Sequence, residues 1–192
     1  KLLRLNIGDP NKYDFDTPEH IKRALCDTIT TGDNGYASSY GDDELREAIK
    51  AYQKAKCANI GLSDIIITAG VSEAILHLYG AMLNPGDEIL IPGPSYPPYT
   101  SLAKFFSAIP VTYRNIEEQD WQPDIEDIHK KITKKTKAIV LINPNNPTGS
   151  VYSKKAIQQM INICRENNLP LISDEIYDRM VFDERFYSPT EL

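Results

Sequence analysis

Three stretches of the 192-residue chain hold residue types that bind or react. Ser173-Asp174-Glu175-Ile176-Tyr177-Asp178 follows the apolar run Leu169–Ile172 and places a carboxylate where a charge is costly unless a cation or a metal faces it. Two chemistries fit that placement. One is the metal-coordinating acid pair of a nucleotide hydrolase, whose form the stretch Leu171–Glu175 shares. The other sets Asp174 against a protonated ring nitrogen, with Tyr177 one helical turn on. Asn143-Pro144-Asn145-Asn146-Pro147-Thr148-Gly149 is stiff and rich in amides, more so than a plain strand-to-helix connection requires. An amide donates to a phenolate oxygen without adding charge. Ala69-Gly70-Val71-Ser72 runs from an apolar segment into a helix. Gly70 permits a tight turn there, and the following amides with the Ser72 hydroxyl make a natural phosphate site. Alone the signal is weak, since glycine at such a turn is more often an ordinary helix cap.

Each stretch closes an apolar segment, and the elements around them alternate. Asp16-Thr17-Pro18-Glu19 reads as a helix start, with Ile21, Ala24, Leu25 and Ile29 at helical spacing and Gly32 as the stop. A second helix starts near Asp42-Asp43-Glu44. Ile65–Thr68 reads as a strand buried on both faces, followed by a helix from about Ser72 to Leu83. Glu88–Ile91, Val111–Tyr113, Ala138–Ile142 and Leu169–Ser173 read as further strands. Tyr99–Phe106, Asp124–Ile132 and Ser153–Asn167 read as helices. Strands separated by helices imply right-handed crossovers: an α/β fold in three layers, αβα, with a mostly parallel sheet. Ligands bind such sheets at the carboxyl ends of the strands, where the three stretches lie.

Composition narrows the function. With 21 basic and 27 acidic side chains the net charge is −6, which argues against a nucleic-acid binder. No run approaches the roughly 18 apolar residues of a membrane span. Cys26, Cys57 and Cys164 are odd in number and scattered, which favours a reducing cytoplasm over a disulfide or zinc framework. Neither a GxGxxG nor a GxxxxGK[ST] phosphate loop occurs. His20, His77 and His129 fall on predicted helices without a nucleophile or acid at catalytic spacing, so no Ser-His-Asp or Cys-His set assembles. The chain opens on Lys1 rather than Met, a first sign of a trimmed product.

In order along the chain stand Leu5-Asn6-Ile7-Gly8, Tyr36 through Gly41, Thr68-Ala69-Gly70-Val71-Ser72-Glu73-Ala74, Pro94-Ser95-Tyr96-Pro97, Asn146-Pro147-Thr148-Gly149 and Ser173-Asp174-Glu175-Ile176-Tyr177. With these motifs the chain resembles the class I/II aminotransferases, the pyridoxal-phosphate enzymes of the aspartate and alanine aminotransferase group. The resemblance implies the large cofactor-binding domain of fold type I, incomplete at its C-terminus. Residues 1–35 would form an N-terminal arm and helix partly on the small-domain side, and residues 36–192 the pyridoxal-phosphate domain.

The resemblance also implies roles. Gly70, Val71 and Ser72 would hold the cofactor phosphate, and Tyr96 would stack on the pyridine face. Asn146 and Tyr177 would hydrogen-bond the phenolic oxygen, and Asp174 would pair with the pyridinium nitrogen so that the ring acts as an electron sink. Gly8 would lie near the substrate carboxylate, and Tyr36 would reach the phosphate of a neighbouring subunit in a homodimer. The family's chemistry needs a lysine that forms the Schiff base with pyridoxal 5'-phosphate, in a segment well after the Asp-x-x-Tyr element. Here 15 residues follow Tyr177 and none is lysine. The expectation is therefore a fragment whose Schiff-base lysine lies beyond Leu192. Its full-length parent would be a cytoplasmic homodimer that moves an amino group from an amino acid to a 2-oxo acid. A lyase or synthase on the same cofactor, and a non-catalytic sensor domain of aminotransferase type, are the alternatives.

Overall fold

The computed structural model describes residues 11, 15–32, 34–55 and 59–192. The chain divides into two units, Lys1–Tyr40 and Gly41–Leu192. In the first unit, helix α1 (Glu19–Thr31) starts after Pro18 and stops at Gly32, which takes the left-handed conformation at φ 82°. That conformation carries no steric penalty only for glycine. No residue of α1 is buried, and its apolar positions Ile21, Leu25 and Ile29 remain exposed.

The second unit is built on a five-stranded sheet. Its elements in chain order are α2 (Asp43–Ala55), α3 (Gly70–Met82), β1 (Glu88–Gly93), α4 (Pro97–Phe105), β2 (Ile109–Ile116), β3 (Gln122–Pro123), α5 (Ile125–Lys131), β4 (Thr136–Ile142), α6 (Lys154–Glu166) and β5 (Leu171–Asp174). The strand order is β3-β2-β1-β4-β5. β1 pairs in parallel with β2 and β4, and β4 pairs in parallel with β5. The short β3 runs antiparallel to β2 at the edge.

Alternation along the central strands splits the core between the two faces of the sheet. Ile89 and Ile91 of β1, with Val140 and Ile142 of β4, pack under Ile75 and Tyr79 of α3 and Tyr99 and Ala103 of α4. Leu90, Ile139 and Leu141 point the other way, onto Ile128 of α5 and Ile157, Met160 and Ile163 of α6. Helices thus cover both faces, the three-layer αβα arrangement that the alternation implied. β1 and β4 read as unbroken apolar runs because neither face meets water.

One expected strand is absent. Ile65–Thr68 forms no strand: only Ile65 is buried, and Ile66 is 61% exposed. The segment pairs with no strand among the described residues. The Ile65 carbonyl instead accepts from Arg46 Nε of α2 at 3.2 Å. Ile67 lies against Gly41, where a β-carbon would come within 2.3 Å of the isoleucine side chain.

Candidate functional site

Parallel strands bring the loops after β1, β4 and β5 to one edge of the sheet. The loop after β4 leaves alongside the end of β5, and Asn143 N–H donates to the Asp174 carbonyl at 2.9 Å. Asp174 itself is 7% exposed. Among the described residues its carboxylate is met by neutral donors. Tyr99 Oη donates to Oδ2 at 2.8 Å and Ile176 N–H to Oδ1 at 3.2 Å. A carboxylate accepts at about four lone-pair positions, so these two donors leave room for a third. Burial first, then the adjacent Asp174 charge, pushes the Tyr99 hydroxyl far above its ordinary range, so it remains a donor.

Glu175 belongs to a different neighbourhood. Its Oε1 accepts from Ser173 Oγ at 2.9 Å and Ser188 Oγ at 2.8 Å. Among the described residues no group of three or more His, Cys, Asp or Glu side chains is placed to hold a metal ion.

The three amides after β4 separate by role. Asn143 Oδ1 accepts from Tyr152 N–H at 2.8 Å. Asn145 donates to Tyr152 Oη at 3.3 Å and accepts from Thr148 Oγ1 at 3.0 Å. Both are buried and tie the loop to itself. Asn146 is half-buried, and its amide has no partner among the described residues. It lines a cavity of about 630 Å³ together with Pro147, Tyr177, Met180 and Trp121. The Tyr177 hydroxyl is likewise unpartnered among the described residues. Asn146 and Tyr177 therefore bring two neutral hydrogen-bonding groups to one space.

On the α3 side, Gly70 opens the helix at φ 78°, and the Ala69 cap position makes no side-chain hydrogen bond to the helix. Ala69 N–H is taken by Glu73 Oε2 and Gly70 N–H by the Thr68 carbonyl. The next amides, Val71 and Ser72, have no acceptor within the helix. Ser72 Oγ lies 3.3 Å from Tyr96 Oη, which joins the start of α3 to the residue just before α4. Val71 and Tyr96 pack on one apolar cluster with Ile91, Tyr99 and Ile142.

Of the expected residues, Asn146 and Tyr177 share the cavity, Ser72 meets Tyr96 at the start of α3, and Asp174 at the end of β5 is reached by Tyr99 of α4, three residues after Tyr96. Tyr36 lies in the first unit and is fully exposed. Gly8 lies outside the described residues. In the sequence Tyr99 reads only as the start of a helix, while the structure places it against Asp174. Its spacing of three from Tyr96 was the available signal.

These donors suit an aromatic cofactor with an anion at one end. The start of α3 offers amides and a hydroxyl, Tyr96 a flat aromatic ring, Asn146 and Tyr177 neutral hydrogen-bonding groups, and Asp174 a buried carboxylate.

Comparison with known proteins agrees. The family model for aminotransferase class I and II matches residues 1–191, and the chain belongs to that family, whose members depend on pyridoxal phosphate. It is 43% identical over 185 residues to the glutamate-pyruvate aminotransferase AlaA of Escherichia coli, a match that spans 96% of this chain and 45% of that protein. It is 39% identical to an alanine aminotransferase of Mycobacterium bovis, across 96% of this chain and 43% of that protein. The solved structure of an alanine aminotransferase from Pyrococcus furiosus superposes with a TM-score of 0.96 at 55% identity, covering 100% of this chain and 49% of that one. The chain thus spans about half the length of the relatives it matches. No helix among the described residues is long and apolar enough to cross a membrane.

Proposed function

We propose that the protein is a pyridoxal-phosphate-dependent aminotransferase that moves an amino group from an amino acid to a 2-oxo acid. The names of its relatives point to alanine and glutamate as amino donors, with pyruvate and the matching 2-oxo acid as acceptors. The observation that carries this reading is the buried Asp174 carboxylate, with donors on both oxygens, at the end of β5 beside the loop that bears Asn146.

When bound, the cofactor supplies an electron sink for charge that develops at the amino acid's α-carbon. Asp174 holds a proton on the ring nitrogen by charge and hydrogen bonding. Asn146 and Tyr177 donate to the ring's phenolic oxygen and hold it as the anion. The amides of Val71 and Ser72, the Ser72 hydroxyl and the Gly70 turn anchor the phosphate at the start of α3. Tyr96 covers one ring face. In this reading Gly8 lies near the substrate carboxylate, and Tyr36 reaches the phosphate of the partner in a cytoplasmic homodimer.

The test is an assay of the full-length protein with added pyridoxal phosphate, alanine and 2-oxoglutarate. Pyruvate and glutamate formed in equal amounts are the expected products. Release of ammonia or carbon dioxide without amino transfer would replace the reading with a lyase or synthase on the same cofactor.

A further inference from the structure

Tyr99 sits behind the proposed ring site and belongs to none of the groups assigned above to the cofactor. It is 1% exposed on α4, and its hydroxyl donates to Asp174 Oδ2 at 2.8 Å across 75 residues of sequence. Its ring meets Tyr79 of α3 edge-on, with centroids 6.4 Å apart and planes at 63°. Tyr79 is fully buried, and its own hydroxyl has no partner among the described residues. The two phenols therefore differ in a usable way: both fill the same apolar cluster, but only Tyr99 bonds a charged group.

We propose that Tyr99 is a positioning residue for Asp174, whose phenolic O–H holds the carboxylate ionised and aimed so that a ring nitrogen facing it keeps its proton. The inference rests on the pyridoxal-phosphate reading of the site. Its physical basis is the cost of a buried carboxylate. Without donors on both oxygens the group lowers its energy by taking up a proton or turning toward water. Ile176 N–H serves Oδ1, and Tyr99 serves Oδ2. The open lone pairs are then left for the ring N–H. Removing the phenol frees Oδ2 and lets the shared proton move from the ring nitrogen toward the carboxylate. The Tyr79 edge contact holds the Tyr99 ring in place but carries no hydrogen bond to the site.

The experiment uses the full-length holoprotein loaded with pyridoxal phosphate labelled with nitrogen-15 at the ring. The unaltered protein is expected to show the ring nitrogen protonated. Tyr99→Phe should move its chemical shift toward the unprotonated position and weaken cofactor binding about tenfold, the scale of one hydrogen bond to a charged group. Tyr79→Phe, which removes an equally buried hydroxyl from the same cluster, should leave the shift in place. Replacement of Tyr99 by 4-aminophenylalanine, which keeps a donor at the same reach, should restore the protonated signal and covers the case in which Tyr99→Phe does not fold. A protonated ring nitrogen in both the unaltered and the Tyr99→Phe proteins overturns the role of Tyr99. So does an equal shift with Tyr79→Phe, which marks a packing effect. An unaltered protein that binds no cofactor, or binds it with an unprotonated ring, overturns the cofactor reading itself and this inference with it.

Discussion

Asn145 donates its side-chain amide to the hydroxyl of Tyr152 at 3.3 Å, seven residues further along the chain. The same hydroxyl accepts from Asn115 Nδ2 of β2 at 2.7 Å. One phenol thereby ties the loop after β4 to β2, and that loop presents Asn146 to the cavity. Burial pushes the Tyr152 hydroxyl well above its ordinary range.

Tyr152→Phe leaves two buried amide groups without that acceptor. The expected cost is about 1–3 kcal/mol, the scale for stranding a buried polar group. Urea unfolding of the variant should show a lower midpoint with an unchanged slope. An unchanged midpoint would mean that the amides find other acceptors.

Asp174→Asn keeps the shape of the side chain and an acceptor for Tyr99 but removes the charge. In the proposed site it should weaken pyridoxal-phosphate binding by about 10–100-fold, corresponding to about 1.5–3 kcal/mol for a hydrogen bond to a charged group. Fluorescence titration with the cofactor measures this directly. Equal affinity in the two proteins would remove Asp174 from the ring nitrogen.

Gly93 ends β1, and an added β-carbon would meet Thr112 Cγ2 at 2.3 Å and the Tyr113 carbonyl at 3.2 Å. Both belong to the adjacent β2, so neither side can yield without disturbing the ladder. Gly93→Ala should destabilise by about 1–3 kcal/mol through overpacking. Thermal unfolding checks it, and a melting temperature equal to that of the parent chain would show that β2 yields freely.

Asp124 caps α5 by accepting from Asp127 N–H at 3.0 Å and also receives Arg114 Nη2 at 2.6 Å. The Arg114 hydrogen bond, followed by the Asp127 amide, lowers its pKa below the ordinary 3.8. A lowered folded-state value means that the carboxylate's contribution is complete above the unfolded value and is lost as pH falls through the folded one. Asp124→Asn retains a good helix cap but not the charge, so it isolates the ion pair. Because Arg114 is 67% exposed, solvent screening limits the pair to at most about 1 kcal/mol. The stability gap between parent and variant should be open at neutral pH and close below about pH 3.8. A gap that stays constant down to pH 2 would show that the charge contributes nothing.

Much of the fold was legible because its signals are local. The β1 and β4 segments are unbroken apolar runs, Gly32 stops α1, and Ser153 caps α6 through a hydrogen bond to Ala156 N–H. Ile65–Thr68 carries the same composition as a buried strand, yet a strand also needs a neighbour with open donors and acceptors. Composition says nothing about that neighbour.

The site divides along the same line. The sequence by itself determined which chemistries were available: an acid after an apolar strand, amides in a proline-stiffened loop, and a glycine turn at a helix start. These follow from residue type and near spacing, which the chain carries wherever it folds. Only the tertiary structure decided which of three asparagines is left open, that Glu175 turns to Ser173 and Ser188, and that Asp174 is held by Tyr99. Those outcomes depend on hydrogen bonds such as Asn115 to Tyr152 and Tyr99 to Asp174, between residues 37 and 75 positions apart. Such pairs meet only because the parallel sheet and its two helix layers bring distant segments within 3 Å, and no periodicity in the chain encodes that distance.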